Sequence, residues 1–189
     1  VIAVVSNFGS IIAVIEPLTY TNFYISNSGT LPIASFNQTF IFENQWWRLI
    51  SPIFIHYNFI HIFMNMYILS LFGSQIEKRK GSLFLVLFVL VTAILSNLAE
   101  YNITGNYKFG GMSGVNYGLF GYIWIKSIFD PGDGLYIDQM NVVILMAWFF
   151  ICFAVGDFEG IGFANWVHAG GLATGSAWAY ISARKWTRR

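Results

Sequence analysis

Apolar residues in this chain come in long blocks, not in the 3.6-residue stripes of a soluble amphipathic helix or the alternation of a half-buried strand. Six blocks approach the roughly 20 residues that a helix needs to cross a bilayer. They run from Val1 to Ile15, Phe59 to Ile76, Leu83 to Tyr101, Ser113 to Ile128, Met140 to Val155, and Gly162 to Ala183. The first is short for a span. Between the first two lies a long outer loop, residues 16–58, polar in places but rich in aromatics, with Trp46, Trp47 and Arg48 among them. A loop of that length is expected to be structured at the membrane interface, where tryptophan is favoured. Asp130-Pro-Gly-Asp-Gly134 reads as a plain turn. The pattern predicts an all-α polytopic membrane protein: six transmembrane helices in one domain over residues 1–189, without internal repeats.

Charge placement orients the spans. If the first block enters from the cytoplasm, Lys78, Arg79, Lys80, Lys126, Arg184, Lys185, Arg188 and Arg189 fall on the inner side. Only Arg48 and Lys108 fall outside. A bias of that size follows the positive-inside rule and puts both termini in the cytoplasm. Composition agrees: 10% of residues are charged, against about 25% in a soluble domain. A net charge of +1 gives no reason to expect nucleic acid as a partner. Cys152 is the single cysteine, within an apolar run, and is expected to be a buried structural thiol. The chain opens at Val1 without a basic segment and small-residue cleavage site, so it reads as a fragment rather than as a chain opening with a signal peptide.

Against this background the polar residues inside the blocks stand out, because such groups are costly in a bilayer and suggest function. His56 and His61 bracket the start of the second block, and Asn65 follows His61 by four residues, on the same helix face. The fourth block opens with Gly110-Gly111-Met112-Ser113-Gly114. Glycines there would let a substrate chain approach closely. A serine at a helix N-terminus lies beside unpaired N–H groups able to stabilise an oxyanion. In the sixth block His168 shares a stripe with Gly171, Gly175 and Ala179, and the fourth block carries Gly114, Gly118 and Gly121. Small residues so spaced allow close packing, which would bring Ser113 and His168 together. Counted from Gly162, His168 would lie roughly 9 Å below the start of its span.

Each residue has a bland reading. A single serine in a membrane helix is usually a packing residue, and a single histidine usually a hydrogen-bonding partner between helices. Together, however, three histidines, a serine after a glycine-rich loop and an asparagine one turn past His61 all fall on one side of the membrane. That coincidence favours catalysis. A metal site is the chemical rival, but no His-Glu-x-x-His is present, and Glu77 and Glu100 lie near span ends rather than beside the histidines.

These motifs resemble the rhomboid intramembrane serine proteases, most closely the bacterial members. The likeness covers nearly the whole chain: six spans, a long first outer loop with Trp47-Arg48, His56-x4-His61-x3-Asn65, Gly111-Met-Ser113-Gly114, and His168 followed by Gly171 and Gly175. The resemblance implies a serine endopeptidase with Ser113 as nucleophile and His168 as base, without a third acid. It implies an oxyanion hole from the Ser113 backbone N–H and the His61 and Asn65 side chains. His56 would order the water-filled mouth, Tyr117 would hold the His168 ring, and Asn165 would line the same region, with Gly111 and Gly114 supporting. Glu77 would make structural hydrogen bonds at the inner end of the second span.

The resemblance further implies single-span membrane-protein substrates within the lipid bilayer, with neither metal nor organic cofactor. The location implied is the bacterial inner membrane, with the active site opening to the periplasmic side. The resemblance leads one to expect the family's soluble N-terminal domain to be absent from residues 1–189. Two rivals remain in view: a non-proteolytic protein that binds membrane clients, and a small transporter using the histidines as a proton path.

Overall fold

The computed structural model describes residues 2–21, 23–26, 29–32, 38–155 and 164–183. Val1, Gly162 and the basic residues Arg184, Lys185, Arg188 and Arg189 therefore lie outside the described residues.

The chain opens with two single-turn helices, α1 (Ile2–Val5) and α2 (Ile12–Ile15), where the sequence pattern predicts one span. Asn7, Phe8 and Gly9 take positive φ between them, and consecutive left-handed residues cannot continue a right-handed helix. The first outer loop also departs from an all-α expectation. It contains a short antiparallel hairpin, β1 (Phe23–Ser26) with β2 (Gly29–Pro32), pairing Tyr24 with Leu31.

From residue 38 onward the described elements are all helical. α3 (Phe59–Ile68) and α4 (Ser74–Lys80) join through a π-helical turn into one rod of 22 residues, Phe59–Lys80. Asn58 caps the rod, its side chain accepting the His61 N–H at 2.7 Å. α5 (Ser82–Thr104) follows Gly81 and stops at Gly105 in the left-handed conformation. α6 (Ser113–Phe129), α7 (Gln139–Val155) and α8 (Asn165–Ile181) have 17 residues each. Among the described residues, two helices are long and apolar enough to cross a membrane by those criteria alone: the Phe59–Lys80 rod and α5.

α6, at 17 residues, is shorter than those two. It is the central helix, with eleven of its 17 residues buried, and its neighbours rather than lipid surround Gly114, Asn116, Gly118, Gly121 and Lys126. α8 lies against it through the stripe Val167, Gly171, Gly175 and Ala179. A Cβ added to Gly171 or Gly175 would overlap the carbonyl oxygens of Gly114 and Gly118 respectively. Only glycine permits that approach, as the spacing predicts.

Exposure is inverted relative to a soluble protein. Outward positions are large and apolar, such as Phe59, Ile60 and Phe63 on α3, Leu83 and Val86 on α5, and Val143, Ile144 and Trp148 on α7. The interior holds polar groups that include Arg48, His56, Asn65, Asn97, Glu100, Asn116, Lys126 and His168. An apolar girdle around an apolar core that also admits these polar groups suits lipid as solvent.

Candidate active site

Two loops deliver the near end of the helix pair. One precedes α3 and runs through a 3-10 turn, Ser51–Phe54. The other carries Phe109 to Met112 into α6. They are tied together where the Gly111 N–H donates to the Pro52 carbonyl at 3.0 Å. Gly111 has φ +120°, and a Cβ there would come within 2.6 Å of His61 Nε2 and 3.8 Å of Ser113 Oγ. The glycine thus permits both the backbone turn and the seating of the His61 ring against it.

Ser113 begins α6, so its own N–H has no carbonyl partner within that helix. Its hydroxyl Oγ lies 2.9 Å from His168 Nε2, within hydrogen-bond distance. The helix bearing His168 starts at Asn165, which places His168 in the first turn of α8. The depth counted from Gly162 starts outside the described residues.

His168 is 6% exposed, and its other ring nitrogen, Nδ1, has no hydrogen-bond partner among the described residues. Among the described residues, no carboxylate bonds to it from behind. The Tyr117 ring does border it, with centroids 4.8 Å apart, and the Tyr117 hydroxyl donates to the Leu145 carbonyl of α7 at 3.2 Å.

His56 and His61 stand with ring centroids 5.0 Å apart. His56 Nδ1 faces the Phe54 carbonyl at 3.3 Å, and burial holds this imidazole below the usual histidine pKa despite that contact. Asn65 is buried, with Nδ2 donating to the His61 carbonyl at 2.8 Å. Asn165 Nδ2 donates to the Cys152 carbonyl at 3.0 Å, tying the start of α8 to α7. Cys152 is a buried free thiol. Among the described residues, no group of three His, Cys, Asp or Glu side chains is gathered as metal ligands would be.

Several supporting groups escape a reading of the sequence. Glu100, which looks like a residue at a span end, accepts the Trp166 and Val167 backbone N–H groups at 3.0 and 3.2 Å. It caps the helix that carries His168. Asn116, one turn beyond Ser113, donates to the backbone and side-chain oxygens of Asn65 at 3.0 and 2.9 Å. The rule that amides inside spans attract attention applies to it as much as to Asn65.

Arg48 is buried and donates to Gln45 Oε1 at 2.6 Å and to the Thr19 carbonyl at 2.9 Å, while pairing with Glu16 at 3.2 Å. With Asn97 Nδ2 on the Leu49 carbonyl at 2.8 Å, it fixes the outer loop to α5. Glu77 accepts the Ser82 hydroxyl at 2.6 Å, consistent with a structural role.

A family model for the rhomboid domain matches residues 43–185, more than half of the chain. The chain belongs to the rhomboid family. The match takes in α3 to α8 and every residue just described around Ser113. A relative from Klebsiella pneumoniae (strain 342), Rhomboid protease GlpG, is 36% identical over 135 residues, covering 71% of this chain and 48% of its own length. The Salmonella choleraesuis (strain SC-B67) protein of the same name is 35% identical over 150 residues, covering 78% of this chain and 53% of its own. The chain spans about half the length of the curated relatives it matches.

Proposed function

We propose that this rhomboid is an intramembrane serine endopeptidase that hydrolyses a peptide bond in or near the transmembrane segment of its substrates. The observation that carries the reading is the 2.9 Å approach of Ser113 Oγ to His168 Nε2 inside an apolar protein. His168 Nε2 takes the hydroxyl proton as Ser113 Oγ attacks the scissile carbonyl. The negative oxygen that forms is stabilised by the Ser113 backbone N–H and the His61 and Asn65 side chains. His168 then protonates the leaving amine, and water repeats the sequence to release the acyl group. The Tyr117 ring, tilted against the imidazole, supports His168 in a role that a carboxylate fills in triads. Gly111 lets the His61 ring seat beside Ser113 and Gly114 admits Val167 and Ser96 against α6, His56 orders the mouth, and Asn165 holds the start of α8.

The substrates are membrane proteins, with single-span proteins as the natural class, since one helix must enter laterally and unwind locally to expose its backbone. Neither metal nor organic cofactor takes part in this scheme. Residues 1–189 act as one membrane domain in the bacterial inner membrane. Six crossings with both termini cytoplasmic and a site opening to the periplasm rest on the 8 to 2 division of basic residues. The first crossing, broken into two single turns, rests on hydropathy alone.

A fluorophosphonate tests the chemistry without a substrate. Purified protein in detergent is expected to take up one phosphonyl group, mapped by peptide mass to Ser113, and His168→Ala is expected to take up none. Labelling elsewhere, or equal labelling of His168→Ala, contradicts the assignment.

A further inference from the structure

We infer that Asn116 is a positioning residue for the oxyanion hole, acting through Asn65; the inference rests on the enzymatic reading above. The amides leave one consistent assignment of nitrogen and oxygen. Asn65 must turn its Nδ2 to the His61 carbonyl, because its oxygen there would set acceptor against acceptor. Asn65 then presents Oδ1, together with its own backbone carbonyl, to α6. Only a donor can face both, so Asn116 must present its Nδ2 to them, at 2.9 and 3.0 Å.

The arrangement spends donors unevenly. An amide nitrogen has two protons. Asn116 uses both on Asn65. Asn65 uses one on His61 and keeps the second free, the proton that an oxyanion would receive. Asn116 Oδ1 has no partner among the described residues, although the side chain is 3% exposed. Leaving a buried acceptor unpaired costs free energy, so a core chosen for stability alone would favour an apolar residue here.

Asn116 also belongs to the helix that begins with Ser113, three residues on. The bond between Asn116 and Asn65 therefore couples the helix bearing the nucleophile to the helix bearing the oxyanion donors. Both partners are buried. Without the bond, Asn65 Oδ1 loses its donor and the amide is free to turn away from the site.

The test uses the full chain in detergent, with parent, Asn116→Ala, Asn65→Ala and the double variant. Kinetics of cleavage of a single-span test substrate, fluorophosphonate labelling rate and thermal midpoint are recorded for each. Asn116→Ala is expected to lower kcat and labelling about tenfold with KM little changed, less than the loss for removing a donor outright. In the Asn65→Ala background the same substitution is expected to change kcat by less than about twofold, since coupled sites are not additive.

Asn116→Asp keeps the volume if the alanine variant fails to fold. Relative to parent at each pH, its activity is expected to recover as acid protonates the carboxyl and restores a donor, which a purely structural role would not produce. An active parent with equal Asn116→Ala losses in both backgrounds, or a flat relative pH profile for Asn116→Asp, overturns this inference alone. A parent that neither cleaves nor labels overturns the enzymatic reading and this inference with it.

Discussion

At the far end of α6, Lys126 is almost completely buried, with Asp130 Oδ2 at 3.0 Å and the Ser182 carbonyl at 2.7 Å from its ammonium. Asp133 Oδ2 lies 3.8 Å away, and Asp133 Oδ1 takes Lys80 at 2.5 Å. At the near end of the same helix pair, His168 has one ring nitrogen on Ser113 and the other unpartnered, and His56 Nε2 and Asn116 Oδ1 also lack partners among the described residues. Both ends bring polar groups into a core that α6 and α8 build together. The far end neutralises its cation with opposite charge and ties α4, the turn after α6, and the end of α8 into one knot. The near end keeps open valences beside Ser113. Buried polar atoms without a hydrogen-bond partner are costly and occur at both ends, Asp133 Oδ2 among them, so what sets the near end apart is the uncharged Ser113–His168 pair in place of an ion pair.

That contrast makes separable predictions. His168→Ala is expected to lower cleavage by about 10⁴-fold or more, because the two members of the dyad act as a unit. Its thermal midpoint should fall only modestly, since the ring's contact with Tyr117 is lost but no ion pair is broken among the described residues. Lys126→Ala should do the reverse. It removes the ammonium facing Asp130 from a buried site, leaving Asp133 its bond to Lys80, and is expected to cost about 3 kcal/mol of stability by chemical or thermal unfolding. Molecules still folded should cleave at the parental rate.

His61→Ala and Asn65→Ala are expected to lower kcat by about 10²–10³ with little change in KM, each removing one oxyanion donor. Equal losses in KM would shift them from the transition state to substrate binding. Gly175→Ala, between the two ends, forces a methyl onto the Gly118 backbone and is expected to cost about 1–3 kcal/mol. Activity should decline with it only as far as the strain reaches Ser113.

The sequence pattern and the structure agree where the cause is local. Long apolar blocks became α5 and α7, and the paired glycine stripes became the α6–α8 contact, because spacing along one helix fixes which residues share a face. Ser113, His61, Asn65 and His168 were legible as candidates because each is polar within an apolar block, and the structure brings Ser113 and His168 within 2.9 Å.

What was missed depends on distant partners. Asp130-Pro-Gly-Asp-Gly134 reads as a plain turn until Lys80 and Lys126 are seen around it. Glu100 becomes a helix cap only once the fold sets it against Trp166, 66 residues away. The break at Asn7 to Gly9 and the hairpin in the outer loop depend on backbone conformations that an apolar block does not encode.

The most direct test of the central claim is cleavage of a single-span substrate by the parent and Ser113→Ala, reconstituted in liposomes and read by product mass. The parent is expected to make a single cut in or near the substrate's membrane segment, and Ser113→Ala to release no product. Product from Ser113→Ala at the parental rate would contradict it.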